Sequence, residues 1–303
     1  MNEPYYSFNK YLREKFGERV HRISIDAGFA CPNIDGRLSK EGCIYCNNKG
    51  FSLFTGKTKD IRSQIEESIK YYRQKSGVNK FLAYFQAFSN TYASPEELKE
   101  KYDVIKDFPE IVGLFISTRP DCIDEEKLKI IAQYQKDYLV WIEYGLQSAN
   151  NSVLEKLNRN HTYEDFLKAV NLTRKYDINI GIHLILGLPW VNHENAIKEA
   201  KLLSKLDIQG IKFHLLHIFK ETKLHEMHKE GKITLMPEKD YIKLVCDFLE
   251  YIPENIVVLR LISSSDPKML VAPLWMNNKT SIIAAIKEEF ARRKTWQGCR
   301  VKK

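Results

Sequence analysis

The chain has 303 residues, of which 44% are hydrophobic and 28% charged, a balance that can bury a sizeable core and excludes a disordered protein. Lysine and arginine (47) outnumber aspartate and glutamate (39), leaving a formal charge of +8 that suits a polyanionic partner without identifying one. The N-terminal stretch MNEPYYSFNKYLREKFGERV has no apolar run of the signal-peptide kind. The longest greasy segments, VGLFIS (112–117) and IHLILGLPWV (182–191), are too short to cross a bilayer, so a cytoplasmic protein without a membrane segment is expected.

In chain order, short apolar and β-branched runs predict six strands, at 21–25, 80–86, 112–117, 138–145, 178–187 and 210–218. Stretches of helical period separate them. In SPEELKEKYDVIKDF (94–108) Ser94 stands at the N-cap, Pro95 at the first helical position and Glu97 at the third, a capping-box signature. Another helix starts at Thr162 and a third after Asp124. The alternation predicts an α/β fold, a partial (β/α)6 TIM-like barrel, over residues 1–230. Beyond it the pattern loosens into a helix near 237–251, a strand at 255–262, a loop at 263–275 and a helix at 280–294. These are read as a C-terminal α/β extension, 231–303, packed on the barrel. It ends in the basic tail RRKTWQGCRVKK (292–303), whose Arg292 and Arg293 are candidate contacts to RNA.

Three of the six cysteines, Cys31, Cys43 and Cys46, fall within DAGFACPNIDGRLSKEGCIYCNN (26–48), just after the first strand, where parallel barrels place their chemistry. Cys122, Cys246 and Cys299 are scattered and read as free buried thiols. Clustered thiolates suit zinc or an iron–sulfur cluster. Structural zinc normally takes four protein ligands, and His21, at the start of the preceding strand, is poorly placed to be the fourth. A cluster held by three cysteines keeps one iron free for a substrate or cofactor. The rival reading is a non-catalytic, zinc-bearing RNA-binding protein.

KFGERVHRISIDAGFACPNIDG and GCIYC, together with IEYGLQS, NRNHTYED, LILGLP and APLW, resemble the radical S-adenosylmethionine (SAM) superfamily, and its YtqA/YhcC subgroup in particular, over nearly the whole chain. The resemblance implies that Cys31, Cys43 and Cys46 hold a 4Fe-4S cluster whose open iron is chelated by SAM. An electron from a donor such as flavodoxin or ferredoxin would then cleave SAM to a 5'-deoxyadenosyl radical. By the same resemblance Ser117 meets the ribose, Gln147 lies near SAM, Arg159 pairs with the SAM carboxylate and His183 lies near the adenosine. Gln86 and Ala87 stand where relatives carry glycines, which leaves carbonyls of 86–89 to hold the SAM amino group. The subgroup's association with wobble uridine implies tRNA as partner. The implied reaction converts a carboxymethylaminomethyl group at uridine carbon 5 to aminomethyl, through hydrogen abstraction at the glycine-like methylene, oxidation and hydrolysis. A radical SAM enzyme acting on another substrate is the alternative.

Other positions rest on their own chemistry. Glu143, a carboxylate in the apolar run YLVWIEYG, needs a partner if buried; it is read as a catalytic residue in preference to a structural ion pair. His214 and His217, three apart on one strand, are expected on opposite faces with at most one inward. Arg260, Asp266 and Trp275 lie in a segment expected to roof the barrel, where an arginine and an aromatic can grip a phosphate and stack a base, or simply pack.

Overall fold

Residues 3–47, 60–263 and 265–301 are described by the computed structural model. The expected apolar runs form strands β1 (Val20–Ile25), β2 (Lys80–Phe85), β3 (Ile111–Thr118), β4 (Leu139–Gln147), β5 (Asn179–Leu186) and β6 (Gly210–Leu215). All neighbours pair in parallel, in sequence order. In a flat sheet β2 and β6 would lie about 19 Å apart, four spacings of about 4.8 Å. Yet Lys212 Nζ on β6 is 2.7 Å from the Tyr84 hydroxyl on β2. The sheet is therefore curled into an open barrel, with those side chains meeting across its interior.

Helices return the chain between the strands: α2 (Ile61–Ser76), α3 (Pro95–Asp103), α4 (Glu125–Gln133), α6 (Tyr163–Arg174) and α7 (His193–Leu203), with the short α5 (Asn151–Lys156) before α6. Their starts follow the local chemistry. The Ser94 hydroxyl accepts from the Glu97 amide and the Asp124 carboxylate from that of Lys127, while Thr162 and Asp165 complete a reciprocal capping box. Their apolar faces and the outer face of the sheet form the main core.

One sequence expectation is corrected at β6. The run read to residue 218 ends at Leu215, and a separate two-residue strand, β7 (Ile218–Phe219), pairs antiparallel with β9 (Leu270–Ala272). The strand expected in the extension, β8 (Val257–Arg260), joins the main sheet as its seventh strand, parallel to β6. Helices α8 (Lys223–Lys229) and α9 (Glu238–Leu249) lie between β7 and β8, and α10 (Lys279–Arg293) packs on α9.

The barrel is closed at one end. Helix α1 (Phe8–Phe16) sets Leu12 among Leu82, Phe115, Trp141 and Leu259, and the Tyr11 ring meets Trp141 edge-on at 5.7 Å. The barrel interior is thereby left to be reached from the other end, where the strands finish. The basic tail lies folded against the molecule: the Gln297 amide donates to the Pro253 and Ile256 carbonyls at 2.7 Å, and the Arg300 amide to the Glu250 carbonyl at 2.9 Å. Among the described residues no helix is long and apolar enough to cross a membrane.

Candidate functional site

Beyond β1 the chain runs directly into the cysteine loop. The Gln64 amide of α2 brackets the backbone N–H and C=O of Asp26 at 2.9 and 2.8 Å, fixing where the loop departs. Farther on, asparagines staple it to the segment after α5: Asn33 Nδ2 donates to the Asn158 carbonyl (2.7 Å), Asn158 Nδ2 to the Gly42 carbonyl (2.6 Å) and Asn160 Nδ2 to Asn33 Oδ1 (2.6 Å). Asn158 and Asn160 both adopt left-handed backbone, with φ of 52° and 53°, a conformation asparagine tolerates better than most residues.

Cys31, Cys43 and Cys46 line one cavity of about 120 Å³, walled also by Ser89, Ser117, Arg119, Gln147, Arg159 and His183. Burial, reinforced by the Cys43 and Cys31 sulfurs nearby, pushes the Cys46 thiol up to about 12. As thiolates the three need cationic charge between them. Among the described residues no group of three His, Cys, Asp or Glu side chains is arranged to hold a single metal ion. Three cysteines around one void are a donor set that would suit an iron–sulfur cluster. Ser89 Oγ and Arg119 Nη1, buried on the same wall, have no hydrogen-bond partner among the described residues, so polar capacity is left for an amino acid-like ligand. The residues present fit a cluster with a polar cofactor beside it.

Arg159 anchors this wall. Its Nη2 donates to the Gly145 carbonyl (2.8 Å), its Nε to His161 Nε2 (2.9 Å), and its Nη1 reaches Cys43 Sγ at 3.6 Å. A side chain at 145 would push Arg159 or Gln147 aside, since a Cβ there falls 2.7 Å from Arg159 Nη2 and 2.8 Å from Gln147 Nε2. Gln147 itself has φ of 72° where the β4–β5 register slips, and this turns its side chain into the cavity.

Ser117, Gln147 and His183 also line a second cavity of about 130 Å³, reaching into the barrel past Gln86, Tyr84, Lys212, His214 and His217. Gln86 Oε1 accepts from Ser24 Oγ at 3.0 Å. Both histidines face this cavity, contrary to the alternation expected. The strand stops at Leu215, so the two-residue period does not carry to His217, whose Nδ1 lies 2.8 Å from the Leu215 carbonyl.

Glu143 lies beneath that cavity, fully buried. Lys212 Nζ donates to Oε2 at 2.6 Å, the Tyr84 hydroxyl at 3.0 Å and His183 Nε2 lies at 2.5 Å, while Arg22 Nη2 stands 3.6 Å from Oε1. Burial opposes ionisation of Glu143, but Lys212 and Arg22 outweigh it and hold its pKa well below the usual carboxylate range. Lys212 is pushed well down by burial, with Glu143 pulling it back. Burial also lowers His183 to about 3 and His217 to about 4, and His214 well below its ordinary value. The three imidazoles are neutral near pH 7.

Arg260 ends β8 inside the barrel, not in a roof over it, with Nη2 2.8 Å from His214 Nδ1. Trp275 packs on Tyr241 at 5.8 Å, and Asp266 accepts from the Lys268 amide. Arg292 pairs with Glu289, and Arg293 with Glu289 and Asp247; neither lines either cavity. The sequence reading passed over Lys212, Arg22, Arg119 and the stapling asparagines. Lys212 in GIKFHLL and Arg22 in HRISI carried the same signal as Glu143, a charge inside an apolar strand.

Residues 36–203 match the family described as the Radical SAM superfamily, and residues 208–292 its Radical SAM C-terminal domain. The chain is 36% identical over 295 residues to uncharacterized protein YtqA of Bacillus subtilis, covering 97% of this chain and 92% of that one. It is 30% identical over 137 residues to the tRNA uridine(34) acetyltransferase of Methanocaldococcus jannaschii, spanning 44% of this chain and 25% of the relative. In structure it resembles the archaeal Methanocaldococcus infernus Elp3 with N-terminus deletion, with a TM-score of 0.62 at 17% identity, over 92% of this chain and 64% of that chain.

Proposed function

The chain belongs to the radical SAM superfamily, and on that premise we propose that it is a tRNA-modifying enzyme acting on the carboxymethylaminomethyl side chain of wobble uridine. Cys31, Cys43 and Cys46 hold the 4Fe-4S cluster. When bound, cluster and SAM supply one-electron cleavage of a sulfonium bond and, from it, hydrogen abstraction at carbon. The chain's own residues bind and orient. Arg159, fixed on the Gly145 carbonyl, presents Nη1 on the cysteine wall, and a guanidinium fork suits the SAM carboxylate. Ser117, Gln147 and His183, on the boundary of the two cavities, are placed to meet the nucleoside and to separate it from the substrate. Glu143 orients Lys212 and His183 from below.

The observation that carries this reading is the shared wall: the cavity lined by three thiols and the one reaching into the barrel have Phe88, Ser117, Gln147 and His183 in common. A group bound in one is presented to the other. The partial likeness to a tRNA uridine(34) acetyltransferase and the charge of +8 favour a tRNA substrate. A low-potential donor of the flavodoxin or ferredoxin kind and a cytoplasmic location complete the proposal. The test is mass spectrometry of tRNA nucleosides from cells lacking the protein, complemented with the native gene or with Cys43→Ala. Carboxymethylaminomethyl-uridine should accumulate in the deletion and persist with Cys43→Ala. Deuterium on the side-chain methylene should appear in 5'-deoxyadenosine in vitro; its absence there would end the proposed chemistry.

A further inference from the structure

The barrel interior carries more positive charge than it neutralises. Among the described residues, Arg22 and Lys212 pair with a single carboxylate, Glu143, and Arg260 lies against His214 at the same cavity. Their donors are not all used: among the described residues Arg260 Nε is buried without a hydrogen-bond partner, while Arg22 Nη2, 3.6 Å from Glu143 Oε1, is paired only loosely. Buried donors left unmatched are costly unless a ligand completes them. Above them lies the floor of the second cavity, which Lys212 and His214 line, with Arg260 against the His214 ring.

We propose that this floor is a carboxylate-binding subsite, in which Lys212 and His214, backed by Arg260 and Arg22, receive an anionic group of the substrate. A carboxylate on a short flexible chain can reach such a floor. A backbone phosphate would have to draw both flanking nucleotides into a barrel whose far end is closed by α1. The cavity's upper wall is shared with the cysteine cavity, so a substrate anchored by its terminal carboxylate presents the adjacent carbon toward the site of hydrogen abstraction. Anchorage also gives register: the anion fixes how deep the side chain enters and hence which carbon reacts. This deepens the wobble-uridine reading and rests on it for the substrate's identity, since the carboxymethylaminomethyl group ends in such a carboxylate.

The experiment is calorimetric titration of the anaerobically reconstituted full chain with four probes: 5-carboxymethylaminomethyluridine, N-benzylglycine, which carries the same side-chain terminus on an unrelated ring, and the methyl ester of each. Loss of one charge-assisted contact weakens binding about 10- to 100-fold, so each free acid should bind that much more tightly than an esterified probe. Lys212→Met should erase the difference. Because that change strands Glu143, Arg260→Gln serves as the second variant, leaving the Glu143–Lys212 pair intact; it too should reduce the acid-over-ester preference, a readout that general loss of packing would not move. If N-benzylglycine shows the preference and the nucleoside does not bind, the carboxylate site stands and the uridine reading falls. If acid and ester bind alike, if no carboxylate binds, or if both variants keep the preference, the carboxylate site is wrong.

Discussion

Glu143 and Lys212 have relative exposures of 0% and 1%, so each depends on the other for what water would have supplied. Removing one partner of such a pair costs about 3–5 kcal/mol because the survivor is left charged and buried, whereas replacing both is close to neutral. Lys212→Met should therefore lower unfolding stability in denaturant by about that amount, and adding Glu143→Gln should restore most of it. Equal stability of single and double variants would contradict the pairing. The histidines set a pH dependence. His183 and His217 have folded-state values lowered to about 3 and about 4 from an ordinary 6.5. Their contribution to stability is complete above pH 6.5 and is lost as the pH falls toward those folded values, since the unfolded chain takes up the protons first. At about pH 5 each costs about 2 kcal/mol relative to neutral pH. Denaturant unfolding at the two pH values should show this loss, and His217→Gln should reduce it; a pH-independent midpoint would contradict it.

At the scale of elements, α1 makes the barrel one-ended. Leu12 fills the base among Leu82, Phe115 and Trp141, so Leu12→Ala should lower stability by about 2–5 kcal/mol while leaving the iron content of reconstituted protein unchanged, measured by unfolding and by metal analysis. Loss of iron would mean that the base is coupled to the cysteine loop. Most strands and helix starts were legible in the sequence because their causes are local: apolar runs, Ser94, Asp124 and Thr162 at caps, three cysteines after β1. What was not legible is non-local. The run NIVVLRLI reads as a strand, but nothing in it says that β6 is its neighbour. The end of β6 at Leu215 is set by the pairing of β7 with β9 about fifty residues later in the chain, and that break decides where His217 points. Lys212 is visible as a charge in an apolar run, but its meeting with Glu143 and Tyr84 requires the curl of the whole sheet.

At the scale of the whole molecule, among the described residues the closed base leaves the strand ends as the way into a charged interior, and the net charge of +8 favours association with polyanions. Binding of tRNA should accordingly weaken with salt, the logarithm of affinity falling with a slope of about −3 or steeper against the logarithm of salt concentration. A flat response would remove the electrostatic support for tRNA. The deepest dependence is on Cys31, Cys43 and Cys46 holding a cluster with one iron left for SAM. The most direct measurement is electron paramagnetic resonance of the anaerobically reconstituted, reduced full chain with and without SAM. The expected result is about four irons per chain, a signal that shifts when SAM is added, and loss of that shift in Cys31→Ala, Cys43→Ala and Cys46→Ala. An iron-loaded protein whose signal SAM leaves unchanged, or one that keeps the response without any one of those thiols, would contradict it.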